Sequence, residues 1–170
     1  MAPLIVLITG GNRGLGQGLI KLFLSQPNYV SPSSLAEDQA YLRTHAQTVI
    51  AAVRDPNHAT AQALADLPKG AGSTLITVRY DASSEQSATD VVSELQAKYG
   101  IAHLDIVVAN AGISKSWPLV KDVKRADIQE HVEVNVMGVV SLYQATRELL
   151  QRSADGPRFV AIGSMGGALR

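Results

Sequence analysis

The sequence predicts an α/β protein, a doubly wound parallel sheet of about five strands with helices on both faces. Three observations carry that expectation. Short apolar runs alternate with segments of helical period along the chain, the pattern of βα units joined by right-handed crossovers. The first run, Leu4-Ile5-Val6-Leu7-Ile8, has no polar position, as a strand covered on both faces requires. It breaks at once into Thr9-Gly10-Gly11-Asn12-Arg13-Gly14-Leu15-Gly16. Such a glycine-rich turn opening a helix lets backbone N–H groups approach a phosphate.

The elements follow in order. After the turn, Leu15, Leu19, Leu22 and Phe23 recur at helical spacing and predict the sheet-facing stripe of a first helix, closed by Pro27. Thr48 to Val53 reads as the second strand, ending in Arg54; Asp55-Pro56 supplies an N-cap and first-turn proline for a helix to about Leu67. Leu75 to Val78 is the third strand, ending near Asp81. Ser83 with Gln86 reads as a capping box before a helical face of Ala88, Val91, Val92, Leu95 and Tyr99, stopped by Gly100. Leu104 to Val108 is the fourth strand. A long helix from Arg125 to Arg152 carries a stripe at Ile128, Val132, Val136, Val139, Tyr143, Thr146 and Leu150. Arg158 to Ile162 is the fifth strand.

One connection breaks the rhythm. Loops between helix and strand in such units run to about 2–6 residues, yet Pro27 is far from Thr48. The gap reads as a surface insertion over about 30–47, with a small helix started by the Ser34/Glu37 capping box. A second reading is an in-frame translated intron. Val30-Ser31 can be encoded GTAAGT and Gln47 CAG, a splice donor and acceptor, and removal joins Tyr29 to Thr48.

Composition narrows the function. The chain has 170 residues, 46% hydrophobic and 18% charged, with zero formal net charge. That is enough for one domain with a substantial core, and it gives no electrostatic case for nucleic acid or an anionic membrane. Cysteine is absent, which excludes disulfide and thiolate chemistry. His45, His58, His103 and His131 are scattered without ligand spacing, so no metal is expected. With no basic leader and no apolar run long enough to span a bilayer, a cytoplasmic protein is expected.

The motifs resemble those of the short-chain dehydrogenase/reductase family. The likeness rests on Thr9-Gly10-x-x-x-Gly14-x-Gly16, Asp81 after the third strand and Asn110-Ala111-Gly112 after the fourth. Asn135-Val136-Met137-Gly138 in the long helix and Gly163-Ser164-Met165-Gly166-Gly167 after the fifth strand complete it. Ile50 to Pro56 and Pro118 to Val123 look more narrowly like fungal ketoreductases of the norsolorinic acid reductase type. The resemblance implies a Rossmann-type fold of strand order 3-2-1-4-5, residues 1–170 forming one NAD(P)-binding domain that is the amino-terminal part of a longer reductase. It further implies NADP(H)-dependent reduction of a ketone or aldehyde, aromatic or polyketide-like, in a protein that is often a homo-oligomer.

It also assigns roles. Thr9, Gly10, Asn12, Arg13, Gly14, Leu15 and Gly16 would cradle the pyrophosphate. Asp81 would take the adenine amino group, though it also reads as a helix N-terminal charge. Asn110, Ala111 and Gly112 would line the cofactor, or form a polar turn at the strand's end. NAD-preferring folds place an acid at the end of the second strand, whereas arginine suits the 2′-phosphate of NADP. Arg54 stands there and Arg13 lies in the turn; Asp55 is read as the cap before Pro56. From the family's Asn-Ser-Tyr-Lys tetrad, Asn135 and Ser164 match. Each has a plainer reading, a helix residue bonding backbone and a turn hydroxyl. The Tyr-x-x-x-Lys pair is absent: no tyrosine among positions 29, 41, 80, 99 and 143 has lysine four residues on. The alternative function is therefore an NADP-binding fragment, isoform or incomplete gene model without catalysis. A methyltransferase or P-loop protein is disfavoured, because the turn lacks a lysine-serine/threonine ending.

Overall fold

The computed structural model describes residues 4–25, 47–115, 117–154 and 156–164. In β1 (Leu4–Thr9) side chains divide by parity between two cores. Ile5 and Leu7 join Ile50, Val107 and Leu142 on one face, while Val6 and Ile8 join Ile20, Val49 and Val108 on the other. Successive strand residues point to opposite faces, so a strand between two helical layers has no solvent side for a polar residue.

The other strands are β2 (Gln47–Val53), β3 (Thr74–Arg79), β4 (Ile106–Ala109) and β5 (Arg158–Ala161). All pairings are parallel, as the βα rhythm predicts, in the order β3-β2-β1-β4-β5 that the family resemblance implies. Ile8 stands opposite Ala51 on one side and Val108 on the other. Helix α1 (Gly14–Ser25), the short α2 (Ala59–Gln62) and a 3-10 turn at Ala63–Asp66 cover the Val6 face. Helices α3 (Glu85–Tyr99) and α5 (Gly138–Gln151) cover the Leu7 face. Between β4 and α5 lie α4 (Arg125–Val132) and one π-helical stretch, Glu133–Met137.

Several local expectations are corrected. The buried line of α1 is Gly16, Ile20 and Leu24; of the expected stripe, Leu19 and Phe23 pack partly buried against this core, whereas Leu15 and Leu22 are exposed. Helix α2 starts at Ala59, where the His58 side chain accepts the Thr60 N–H. Asp55 Oδ1 instead accepts from Asn57 N at 2.9 Å, making a turn before the helix rather than a cap. The cap of α3 is Ser84, while Ser83 turns back to Asp81. Gly100 ends α3 in the left-handed region, φ +66°, as expected.

The long helix differs most. In its lower half the expected Thr146 and Leu150 are buried and Val139 packs partly against the core, while Leu142 and Leu149, outside the expected stripe, are buried beside them. Through α4 and the π stretch the continuous stripe fails: Ile128, Val132 and Val136 are exposed. A π turn holds more residues than an α turn, so the two halves do not present one straight face. Tyr143 is also exposed, its ring meeting the Phe159 ring edge-on at 5.1 Å. The small helix expected after Ser34 lies outside the described residues, whereas Gln47, the last residue of the expected insertion, begins β2 and is buried there.

At the amino end of the sheet, buried Asp105 ties three segments. Its Oδ2 accepts from Ile5 N at 2.7 Å, its Oδ1 from Ser153 Oγ at 2.6 Å, and its backbone carbonyl from Arg158 N at 2.8 Å.

Candidate cofactor and active site

In an open parallel sheet the natural crevice lies beyond the strands' carboxyl ends, where the winding direction reverses. Here that point is between β1 and β4. Thr9 knots it together. Its buried hydroxyl accepts from Asn110 N and Ala111 N, both at 2.9 Å, and faces Val108 O at 3.4 Å. Asn110 returns the contact, its Nδ2 donating to Thr9 O at 2.9 Å. Thr9 and Asn110 thus shape the crevice through bonds to each other.

The glycine turn above this knot is open on its outer side and closed on its inner one. Gly10 and Gly14 have φ of +64° and +54°, a region that penalises side chains. A Cβ on Gly14 would meet nothing within 4 Å among the described residues, whereas one on Gly16 would lie 2.4 Å from Gly10 O. Gly16 lets α1 start against the strand; Gly14 leaves space outside. Leu15, exposed between them, lies in the first turn of the helix beside that space. This shape fits a pyrophosphate resting on the N–H groups of the turn.

Beyond β2 and β3 the crevice becomes charged. Arg13 and Arg54 are exposed. Asp81 Oδ1 accepts from Ser83 N at 3.0 Å and Ser83 Oγ at 2.7 Å, and Asp81 N donates to Ser87 Oγ. Burial alone would push the Asp81 carboxyl up; the Ser83 hydrogen bonds, with the charges of Arg54 and Arg79, outweigh it and hold it below the ordinary carboxylate value. Asp81 is therefore an ionised acceptor at neutral pH. Asn12 does not reach toward the crevice with its amide: Nδ2 donates to Thr60 Oγ1 at 2.7 Å. Thr60 and His58 escaped the sequence reading, because histidine is an uncommon cap and Asp55-Pro56 gave a stronger signal nearby.

Asn135 sits in the π stretch and clasps the chain leaving β4. Its Oδ1 accepts from Ile113 N at 2.8 Å and its Nδ2 donates to Ile113 O at 2.9 Å. The same loop is held again at Lys115, whose backbone N–H reaches His131 Nε2 at 3.2 Å and whose ammonium pairs with Glu130. Gly112 leaves room for this clasp, since a Cβ there would lie 3.3 Å from Asn135 Oδ1. Ser164 is exposed two residues beyond Ile162, whose N–H extends the β4–β5 ladder to Ala109 O. A cavity of about 390 Å³ runs along α4 past Pro118, His131, Val132 and Asn135. Trp117 is almost fully exposed and is not among its walls.

A sequence profile of the short chain dehydrogenase family matches residues 4–170. The chain belongs to that family. Within the short-chain dehydrogenases, a norsolorinic acid ketoreductase of Emericella nidulans is 37% identical over 160 residues, 94% of this chain and 53% of that protein. Another, from Dothistroma septosporum, is 37% identical over 159 residues, 93% of this chain and 52% of its own length. Among solved structures, the NADP active-site complex of RhlG from Pseudomonas aeruginosa superposes with a TM-score of 0.70 at 28% identity, covering 96% of this chain and 56% of that one. The chain spans about half the length of the curated relatives it matches. No helix among the described residues is long and apolar enough to cross a membrane.

Proposed function

We propose that this short-chain dehydrogenase chain forms the cofactor-binding part of an NADP-dependent reductase acting on a ketone or aldehyde. The observation that carries the cofactor choice is Arg54, placed where β2 ends and close enough to Asp81 to lower its pKa. An NAD-selective fold puts an acid at that strand end for the ribose diol, whereas guanidinium suits a 2′-phosphate. Asp55, the acid next door, already holds Asn57 N.

The bound dinucleotide supplies the hydride. Toward it, the turn from Gly10 to Gly16 offers backbone N–H groups, Arg13 and Arg54 take the 2′-phosphate, and Asp81 accepts from the adenine amino group. Ala111 and Gly112 line the path that Thr9 and Asn110 hold open. Asn135 holds the wall of the site at Ile113 and can order a water for proton transfer, while Ser164 orients the substrate carbonyl. An aromatic, polyketide-like ketone is the substrate class favoured by likeness to the norsolorinic acid ketoreductases. Within residues 1–170 no tyrosine has lysine four positions on.

Fluorescence titration with NADPH and NADH tests the reading. NADPH should bind the tighter by about tenfold or more, and Arg54→Asp should erase the difference. Tighter binding of NADH, or binding of neither, overturns it. Offering an aromatic ketone with NADPH then separates a reductase from a binding module.

A further inference from the structure

Two arginines can grip one phosphate only if the segments bearing them keep a fixed separation. Arg13 belongs to the turn after β1 and Arg54 to the segment after β2. Among the described residues, the side-chain hydrogen bond joining those two segments is Asn12 Nδ2 to Thr60 Oγ1, 2.7 Å.

The rest of the network follows from counting protons. Thr60 Oγ1 has one proton of its own; while accepting from Asn12 it can give that proton to His58 Nδ1, 2.9 Å away. The same ring nitrogen accepts the Thr60 backbone N–H at 3.3 Å. Nδ1 therefore serves as the acceptor in this network. His58 N in turn donates to Asp55 O at 3.2 Å. A continuous line of bonds thus runs from Asn12, the neighbour of Arg13, through Thr60 and His58 to Asp55, the neighbour of Arg54.

We propose that Thr60 is a positioning residue for cofactor selectivity, its hydroxyl fixing the gap between Arg13 and Arg54 so that both can engage a 2′-phosphate. The inference rests on the NADP reading. A dinucleotide without that phosphate needs neither arginine, so the tie matters to one coenzyme and not the other. A role in stability alone would weaken both equally.

Thr60→Val keeps the shape and removes the hydroxyl; Thr60→Ser keeps the hydroxyl. Each variant of the 170-residue chain is titrated with NADPH, NADH and 2′,5′-ADP. Thr60→Val should raise the Kd for NADPH and 2′,5′-ADP about tenfold while leaving NADH within about twofold, and Thr60→Ser should restore the parent values. Equal losses for NADPH and NADH, or no loss, overturn the role of Thr60 while leaving the NADP reading intact. Failure of the parent chain to prefer NADPH overturns both. Should circular dichroism show Thr60→Val unfolded, Thr60→Ala provides the same comparison.

Discussion

The phenol of Tyr80 lies inside the molecule, and its hydroxyl donates to Gly138 O at 3.0 Å. Burial first, then the negative charge of Asp81, pushes its pKa up to about 12 from 10.0. The unfolded chain releases that proton near pH 10. Between pH 10 and about 12 the folded state therefore holds more protons than the unfolded one, and stability falls as pH rises. Below pH 10 the contribution is whole. Tyr80→Phe should cost about 1 kcal/mol at neutral pH and should show a flatter decline than the parent above pH 10, measured by urea unfolding across that range. Equal slopes in the two proteins count against a buried, hydrogen-bonded phenol. Tyr80 illustrates what the sequence hides at this scale. Gly10, Gly14 and Arg54 declare themselves through backbone or charge requirements visible locally. Tyr80, Thr60 and Asp105 matter through partners far along the chain, and nothing beside them in sequence names those partners.

At the scale of elements, the junction between the π stretch and α5 decides where Asn135 stands. Gly138 is its contact point: an added Cβ would lie 2.3 Å from Ala82 O, and backbone cannot yield as a flexible side chain can. Gly138→Ala should destabilise the fold by about 1–3 kcal/mol, read as a lower thermal midpoint, and should speed hydrogen exchange at Ile113 N, which Asn135 holds. Unchanged stability and exchange would show that the junction tolerates a methyl group. Sequence period located every strand and most helices here, because parity and helical spacing are local properties. It misplaced the caps of α2 and α3, since capping depends on which side chain reaches an N–H once the turn has formed. It drew the α4 stripe straight for a related reason: periodicity assumes one pitch, and the π stretch changes it.

Across the whole molecule, β5 and β3 stand at the two edges of the sheet among the described residues. Val160 and Ile162 are exposed at and just beyond β5, and Ile128, Val132, Val136, Val140 and Tyr143 are exposed along the neighbouring helices. An open apolar edge strand is a template for pairing with another chain. Residues 1–170 expressed alone should therefore self-associate in sedimentation velocity, and Val160→Lys should shift the distribution toward monomer. A monodisperse parent protein would refute this. Parallel pairing was legible in sequence because consecutive βα units join by right-handed crossovers, and the strand order came from the family resemblance; the exposed helical face was not legible, because an apolar stripe looks the same whether or not something covers it. The Thr9 knot carries a last consequence, for the order of folding. Its hydroxyl is satisfied by Asn110 and Ala111, about a hundred positions later in the chain. Contacts of such separation are slow to form, so the phosphate turn cannot acquire its final shape until β4 has docked beside β1. Cofactor binding during refolding should therefore follow, not precede, the docking of β4 beside β1, and a stopped-flow NADPH signal that rises before that docking would contradict it.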